Sequence, residues 1–254
     1  MSGEIQRVYL VTGAGSGIGA AVCRRLAGPG IGLLVHTGSK REKAVAVAEE
    51  CTAKGAACQV AVGDLAEPET AGMLVSDCQK HFGRLDGVIA NAGFADRRTL
   101  QELDEEGLDR SIDVILRGSF RLAKAAQPLL AQSPAGRIVT VSSFVAHVFR
   151  LDGDAFTASA AAKGGLEALT RSLAAQMAPQ GITVNAVVPG YVQKDAVSGR
   201  SAMDDGRWKQ AVARIPLGRL GRPDDIAAMI ALLAGPEGSY ITGQAIHVDG
   251  GLTL

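Results

Sequence analysis

Three stretches of this chain carry residue types at spacings that chemistry can use. The first is Thr12-Gly13-Ala14-Gly15-Ser16-Gly17-Ile18-Gly19, set between an apolar run and a helical pattern. Glycines at such a turn let backbone N–H groups and a helix N-terminus approach a pyrophosphate that side chains would block. The spacing is Gly-x-x-x-Gly-x-Gly rather than the commoner Gly-x-Gly-x-x-Gly. A tight turn alone would explain a glycine cluster; its place at the first strand-to-helix junction of an α/β chain favours a nucleotide. The second stretch is Ser39-Lys40-Arg41, with no carboxylate before Glu42. NAD sites place an acid about 20 residues beyond the glycines. Here Ser39, Lys40 and Arg41 would instead hold a 2′-phosphate by charge-assisted hydrogen bonds, so NADP(H) is expected over NAD(H). A solvated basic turn at a helix start is the plainer account of the same residues. The third stretch holds Phe156, Ser159 and Lys163. On one helix these share a face, with Ser159 about 6 Å and Phe156 about 10 Å from Lys163 along the axis.

The elements that must position these residues follow from hydrophobic patterning. Residues 8–12, 33–36, 57–62, 87–90, 137–142, 183–188 and 245–248 are uniformly apolar runs, as strands covered on both faces should be. Helical patterns over 18–26, 43–54, 69–82, 104–130, 155–177 and 224–233 alternate with them. The fold class expected is α/β: a single Rossmann-type doubly wound parallel sheet of about seven strands with helices on both faces, in one domain over 1–254. Residues 193–215 are polar and glycine-containing and read as a mobile insert over the site.

Composition excludes several classes. The 254 residues are 47% hydrophobic and carry 26 basic and 26 acidic side chains, which gives no electrostatic reason to expect nucleic acid or an anionic membrane. No apolar run is long enough to span a bilayer, and Met1 to Arg7 lack a signal-peptide pattern. Cys23, Cys51, Cys58 and Cys78 show no metal-ligand or Cys-x-x-Cys spacing, so reduced thiols and a cytoplasmic location are expected.

Lys163 with Gly164-Gly165-Leu166-Glu167-Ala168-Leu169-Thr170, then Val184-Asn185-Ala186 and Pro189-Gly190, resembles the second half of a short-chain dehydrogenase/reductase. The glycine turn, Asp64-Leu65, Asn91-Ala92-Gly93, Gly243 and Asp249-Gly250-Gly251 extend the resemblance over essentially the whole chain. It implies dinucleotide binding by Gly13, Ser16, Gly17, Ile18 and Gly19. Asp64 and Leu65 would contact adenine, and Asn91, Ala92 and Gly93 would close the cleft. Lys163 would bind the nicotinamide ribose, and Pro189, Gly190, Val192 and Lys194 would lie along the cofactor. Lys194 stands where the family usually has Thr against the phosphates. A small-molecule substrate and a homotetramer are also implied, with a hetero-oligomer of an active paralogue as the alternative.

The family's catalytic set is Asn, Ser, Tyr and Lys. Ser143 matches the serine that hydrogen-bonds the substrate oxygen. The Asn position, 24 residues after Asn91, is Ile115. Counting back four from Lys163 puts Ser159 at the Tyr position, whereas counting on thirteen from Ser143 puts Phe156 there. Enoyl-ACP reductases resemble the second spacing and dienoyl-CoA reductases the first, but neither match is complete. Without a phenol, protonating an alkoxide is harder than polarising an enoyl carbonyl for hydride addition to carbon. The expectation is an NADP(H)-dependent reductase of an activated C=C or C=O, with Ser143, Ser159 and Lys163 catalytic. Tyr191 and His147 are the residues that could stand in for the missing phenol. Phe94, Phe144, Val148, Phe149 and Trp208 are expected to form an apolar wall suited to an acyl chain, with an acyl thioester among the candidate substrates. The rival expectation is a catalytically silent subunit.

Overall fold

The computed structural model describes residues 4–149, 154–193 and 205–254. Seven strands form one sheet: β1 (Arg7–Val11), β2 (Ile31–Thr37), β3 (Ala57–Val62), β4 (Gly87–Ala90), β5 (Arg137–Val141), β6 (Thr183–Pro189) and β7 (Ala245–Val248). Their order is β3-β2-β1-β4-β5-β6-β7, and every pairing is parallel. The five inner strands are covered on both faces, as apolar runs require, whereas the edge strands β3 and β7 are partly exposed, contrary to the expectation for them. Tyr9, Val11, Leu33, Val35, Val139 and Val141 face one helical layer. Val8, Leu10, Leu34, Val88 and Ile138 face the other. Each such buried side chain contributes about 1.5–3 kcal/mol, so a polar residue at any of them would disfavour this packing.

The helices are α1 (Gly17–Leu26), α2 (Arg41–Ala53), α3 (Thr70–Phe82), α4 (Glu105–Ser111), α5 (Gly118–Leu130), α6 (Thr157–Met177), α7 (Asp205–Ala213) and α8 (Pro223–Ala234). Residues of α1, α2 and α8 pack on the first face, and those of α3, α5 and α6 on the second. Strand order reverses between β1 and β4, and a crevice opens there beyond their carboxyl ends, where open α/β sheets bind ligands.

Three further expectations are corrected. The single helix expected over 104–130 is broken by a π-helical segment, Ile112–Arg117, between α4 and α5. Asp104 caps α4 by accepting the Gly107 N–H at 2.8 Å. Part of the insert expected over 193–215 is the helix α7, anchored by the buried Ala211 and followed by the buried Ile215. Phe156 precedes α6 as its N-cap, with φ −141° and ψ 37°, so it does not share the helical face of Ser159 and Lys163.

Candidate active site

The crevice is a cleft of about 1000 Å³. Its floor is the glycine turn. Gly13 (φ +64°) and Gly17 (φ +56°) occupy the left-handed region that suits glycine. A methyl on Gly13 would lie 2.9 Å from the Ala92 Cα, and one on Gly19 would lie 2.5 Å from the Gly13 carbonyl oxygen. Gly19 therefore serves close packing of α1 beneath the turn, while Gly17 opens into space with no atom within 4 Å of a methyl placed there. Asn91 ties the two strand ends together, its Nδ2 donating to the Thr12 carbonyl at 2.9 Å and to that of Gly13 at 3.2 Å.

The start of α1 is prepared for an anion. Ser16 is the N-cap, yet its side chain makes no capping hydrogen bond, and the first turn holds no acid. The N–H groups of the first turn and the positive end of the helix lie at the cleft, as a pyrophosphate requires. The cofactor therefore fits the residues present. Gly13, Ser16, Gly17, Ile18, Asn91, Gly93, Pro189, Gly190 and Val192 line the cleft together with Ser143, Ser159 and Lys163.

The basic turn divides. Lys40 lines the cleft; Ser39 and Arg41 do not. Lys43 lines it instead, its Cβ lying 3.3 Å from where a methyl on Gly15 would sit. The sequence signal for Lys43 was its place three residues after Lys40, nearly one turn along α2. Asp64, Leu65 and Ala92 also stay off the lining: Asp64 pairs with Arg110 at 2.7 Å, which holds its carboxyl below the usual range, and Leu65 is buried. Lys194 lies outside the described residues.

At the chemical end, Lys163 is 7% exposed and its Nζ donates to the Val141 carbonyl at 2.5 Å. Burial lowers its pKa to about 8, partly opposed by the Glu167 carboxylate one turn along α6. Ser143 caps the short turn Phe144–Ala146 by a long 3.4 Å bond from the Val145 N–H, leaving its hydroxyl able to reach a ligand. Ser159 is held more firmly. Its Oγ accepts the Asp96 N–H at 2.9 Å and donates to the Phe94 carbonyl at 3.4 Å. Asp96 in turn pairs with Arg98 at 2.7 Å, and Arg98 with Asp104 at 3.0 Å, so the loop after β4 is fixed from both sides.

Ile115 is fully buried and approaches Gly93 beside the Lys163 amine. Phe156 packs edge-on to Phe144 at 6.2 Å and lies under the Arg97 guanidinium at 5.8 Å. Tyr191 packs its ring on Phe144 at 4.4 Å and does not line the cleft. Of the expected apolar wall only Phe94 lines it, joined by Val145; Phe144 and Val148 belong to the cluster around Ile215 and Leu252, and Phe149 is 77% exposed. His147 is hydrogen-bonded to Glu167 at 2.8 Å. All four cysteines are free thiols. No helix among the described residues is long and apolar enough to cross a membrane.

A parallel seven-stranded sheet with a glycine-floored cleft at the strand switch, lined by a buried lysine and a strand-end serine, defines a dinucleotide-dependent oxidoreductase. Residues 13–253 match the family model described as "Enoyl-(Acyl carrier protein) reductase". The chain is 37% identical over 251 residues to the 3-oxoacyl-(acyl-carrier-protein) reductase FabG of Staphylococcus aureus, covering 99% of this chain and all of that one. It is also 37% identical to the short-chain reductase protein NovJ of Streptomyces niveus, over 97% of this chain and 94% of that protein. Among solved structures, a short-chain dehydrogenase from Burkholderia cenocepacia in complex with NADP superposes with a TM-score of 0.88 at 32% identity, covering 99% of this chain and 100% of that one. A dehydrogenase/reductase from Sinorhizobium meliloti gives a TM-score of 0.89 at 31% identity, covering 98% and 96%. The chain belongs to the short-chain dehydrogenase/reductase family and is an NAD(P)-dependent oxidoreductase of that type.

Proposed function

We propose that this protein is an NADP(H)-dependent reductase of an activated C=C or C=O group on an apolar substrate of the acyl-thioester class, lacking the family's catalytic Tyr and Asn. The observation that carries the reading is the juxtaposition in one cleft of the buried Lys163 amine and the Ser143 hydroxyl, with no phenol lining that cleft among the described residues. Bound reduced nicotinamide would supply hydride. Lys163 would hold the ribose and contribute positive charge where negative charge develops, an effect that is strongest in a water-poor site. Ser143 would donate a hydrogen bond to the substrate oxygen. Ser159 would hold the 94–96 loop against the cleft as its principal role, since both hydrogen bonds of its hydroxyl already go to that loop.

The preference for NADP(H) is supported by Lys40 and Lys43 on the cleft lining, with no acid among the cleft residues at the end of β2. The acyl class is supported by the apolar side chains Phe94 and Val145 on the cleft and by the similarity to acyl-carrier-protein reductases. Gly13, Ser16, Gly17 and Ile18 would bind the pyrophosphate, Asn91 and Gly93 would close the cleft, and Pro189, Gly190 and Val192 would flank the nicotinamide. The experiment is NADPH oxidation by the purified chain with an enoyl thioester and with a 3-oxoacyl thioester. Oxidation with the enoyl substrate alone would establish conjugate reduction; no oxidation with either would reject the reading.

A further inference from the structure

No phenol lines the cleft among the described residues, and Ile115, near Gly93 and the Lys163 amine, offers no proton-carrying atom. A line of hydroxyl, carboxylate and imidazole leaves the cleft elsewhere. Ser142, at the end of β5, lines the cleft, and its Oγ donates to Glu167 Oε1 at 2.5 Å. Glu167 is only 4% exposed, and a carboxylate so buried is retained at a cost unless it is fully hydrogen-bonded. His147 Nε2 lies 2.8 Å from the same Oε1, and the His147 side chain is 30% exposed. Its ring meets His247 edge-on at 4.6 Å, and His247 Nδ1 lies 3.0 Å from Thr253 Oγ1 and 3.8 Å from Asp249 Oδ2. The three groups thus connect the cleft to the surface in two steps of hydrogen-bond length.

We propose that Ser142, Glu167 and His147 conduct the proton that completes each reduction, in place of the absent phenol. The inference rests on the reductase reading above. His147 takes a proton from water at Nδ1 and gives its Nε2 proton to Glu167 Oε1. Glu167 passes a proton to Ser142 Oγ, and Ser142 releases its own hydroxyl proton into the cleft, to the anion left by hydride addition. One proton enters from solvent and one leaves in the product; the electron pair comes from reduced nicotinamide, and none moves along the line. None of the three needs to touch the dinucleotide, so cofactor affinity is independent of the conduction.

Two measurements test this. With NADPH and an enoyl thioester, His147→Gln should lower kcat about 100-fold, the low end of what a positioned proton donor supplies, and imidazole in solution should restore about 10-fold of it. NADPH affinity and melting temperature should not change. Glutamine can still hydrogen-bond Glu167, so a purely structural His147 would leave His147→Gln at full rate, and that result would overturn the proposal. The second measurement does not need turnover. In the NADPH-bound protein labelled with 13C-glutamate, His147→Gln should shift a buried carboxylate carbon that Glu167→Gln removes. A Glu167 carbon indifferent to His147 would overturn the relay whatever the activity. A Glu167 carbon that His147→Gln shifts in a protein that oxidises no NADPH would support the connected line and reject the reductase reading alone.

Discussion

The Ser159 hydroxyl accepts the Asp96 backbone N–H at 2.9 Å, across 63 residues of sequence. This bond fastens the loop after β4 to the first turn of α6, at the rim of the cofactor cleft. Lys163, one turn further, is thereby held beside the same loop at Gly93.

Ser159→Ala should leave the Asp96 N–H buried without an acceptor. The expected cost is about 1–3 kcal/mol of stability, the desolvation penalty of an unmade buried hydrogen bond. Substrate KM should rise more than kcat falls, because the loop loosens while Ser143 and Lys163 remain. Urea denaturation and steady-state kinetics read the two effects; a variant with wild-type stability and a kcat loss alone would show that Ser159 acts on the substrate instead.

Lys163 gives a pH dependence with a definite sign. Its pKa is lowered from 10.5 to about 8 by burial, so the unfolded chain holds the lysine proton more tightly. Below pH 8 the charged form costs the folded state about 3 kcal/mol, at about 1.4 kcal/mol per pKa unit. That penalty is relieved as pH rises from about 8 to 10.5. Lys163→Met should abolish turnover yet stabilise the protein at pH 7 by about 2 kcal/mol, the penalty less about 1 kcal/mol for the lost bond to Val141. The stability gap between variant and parent should narrow between pH 8 and 10, measured by denaturant titration. A gap that stays constant over that range would contradict the assignment.

Catalysis should follow the same titration. A cationic Lys163 is the active form, so kcat/KM should decline above about pH 8, the free-enzyme pKa. A profile flat to pH 10 would remove the charge from the mechanism.

The cofactor preference should lie with Lys40 and Lys43 and not with Arg41. The double variant Lys40→Ala, Lys43→Ala should lose about 10- to 100-fold in NADPH affinity, as for hydrogen bonds to a charged phosphate, with NADH affinity unchanged. Arg41→Ala should change neither. Calorimetric titration of both nucleotides decides between them.

The glycine turn separates folding from binding. Gly19→Ala places a methyl 2.5 Å from the Gly13 carbonyl oxygen and 2.7 Å from Asn91 Nδ2, so it should cost about 1–3 kcal/mol by overpacking. Gly17→Ala meets nothing within 4 Å, and its φ of +56° costs only about 1–2 kcal/mol. It should nevertheless weaken NADPH binding by obstructing the pyrophosphate, which melting curves with and without NADPH will show.

The sequence by itself determined the parallel sheet. Apolar runs report burial, and that is a local property; β3, β4 and β7 run over the residues expected, and the other strands differ by one or two residues at one or both ends. The glycine turn was legible for the same reason, since a positive φ and a close approach exclude other residues at single positions. Azimuth and long-range pairing were not legible. Whether Arg41 or Lys43 meets the cleft depends on how α2 rolls on the sheet, and both carry the same charge. Phe156 leaves the helical face because α6 begins one residue later, with its ring drawn to Phe144. The π segment carries Ile115 to Gly93, and nothing in the spacing of residues 104–130 announced it. Glu167 reads as an ordinary charged residue of an amphipathic helix until the end of β5 brings Ser142 and His147 to its carboxylate. Tertiary packing decided these contacts because each joins elements whose relative rotation no local pattern encodes.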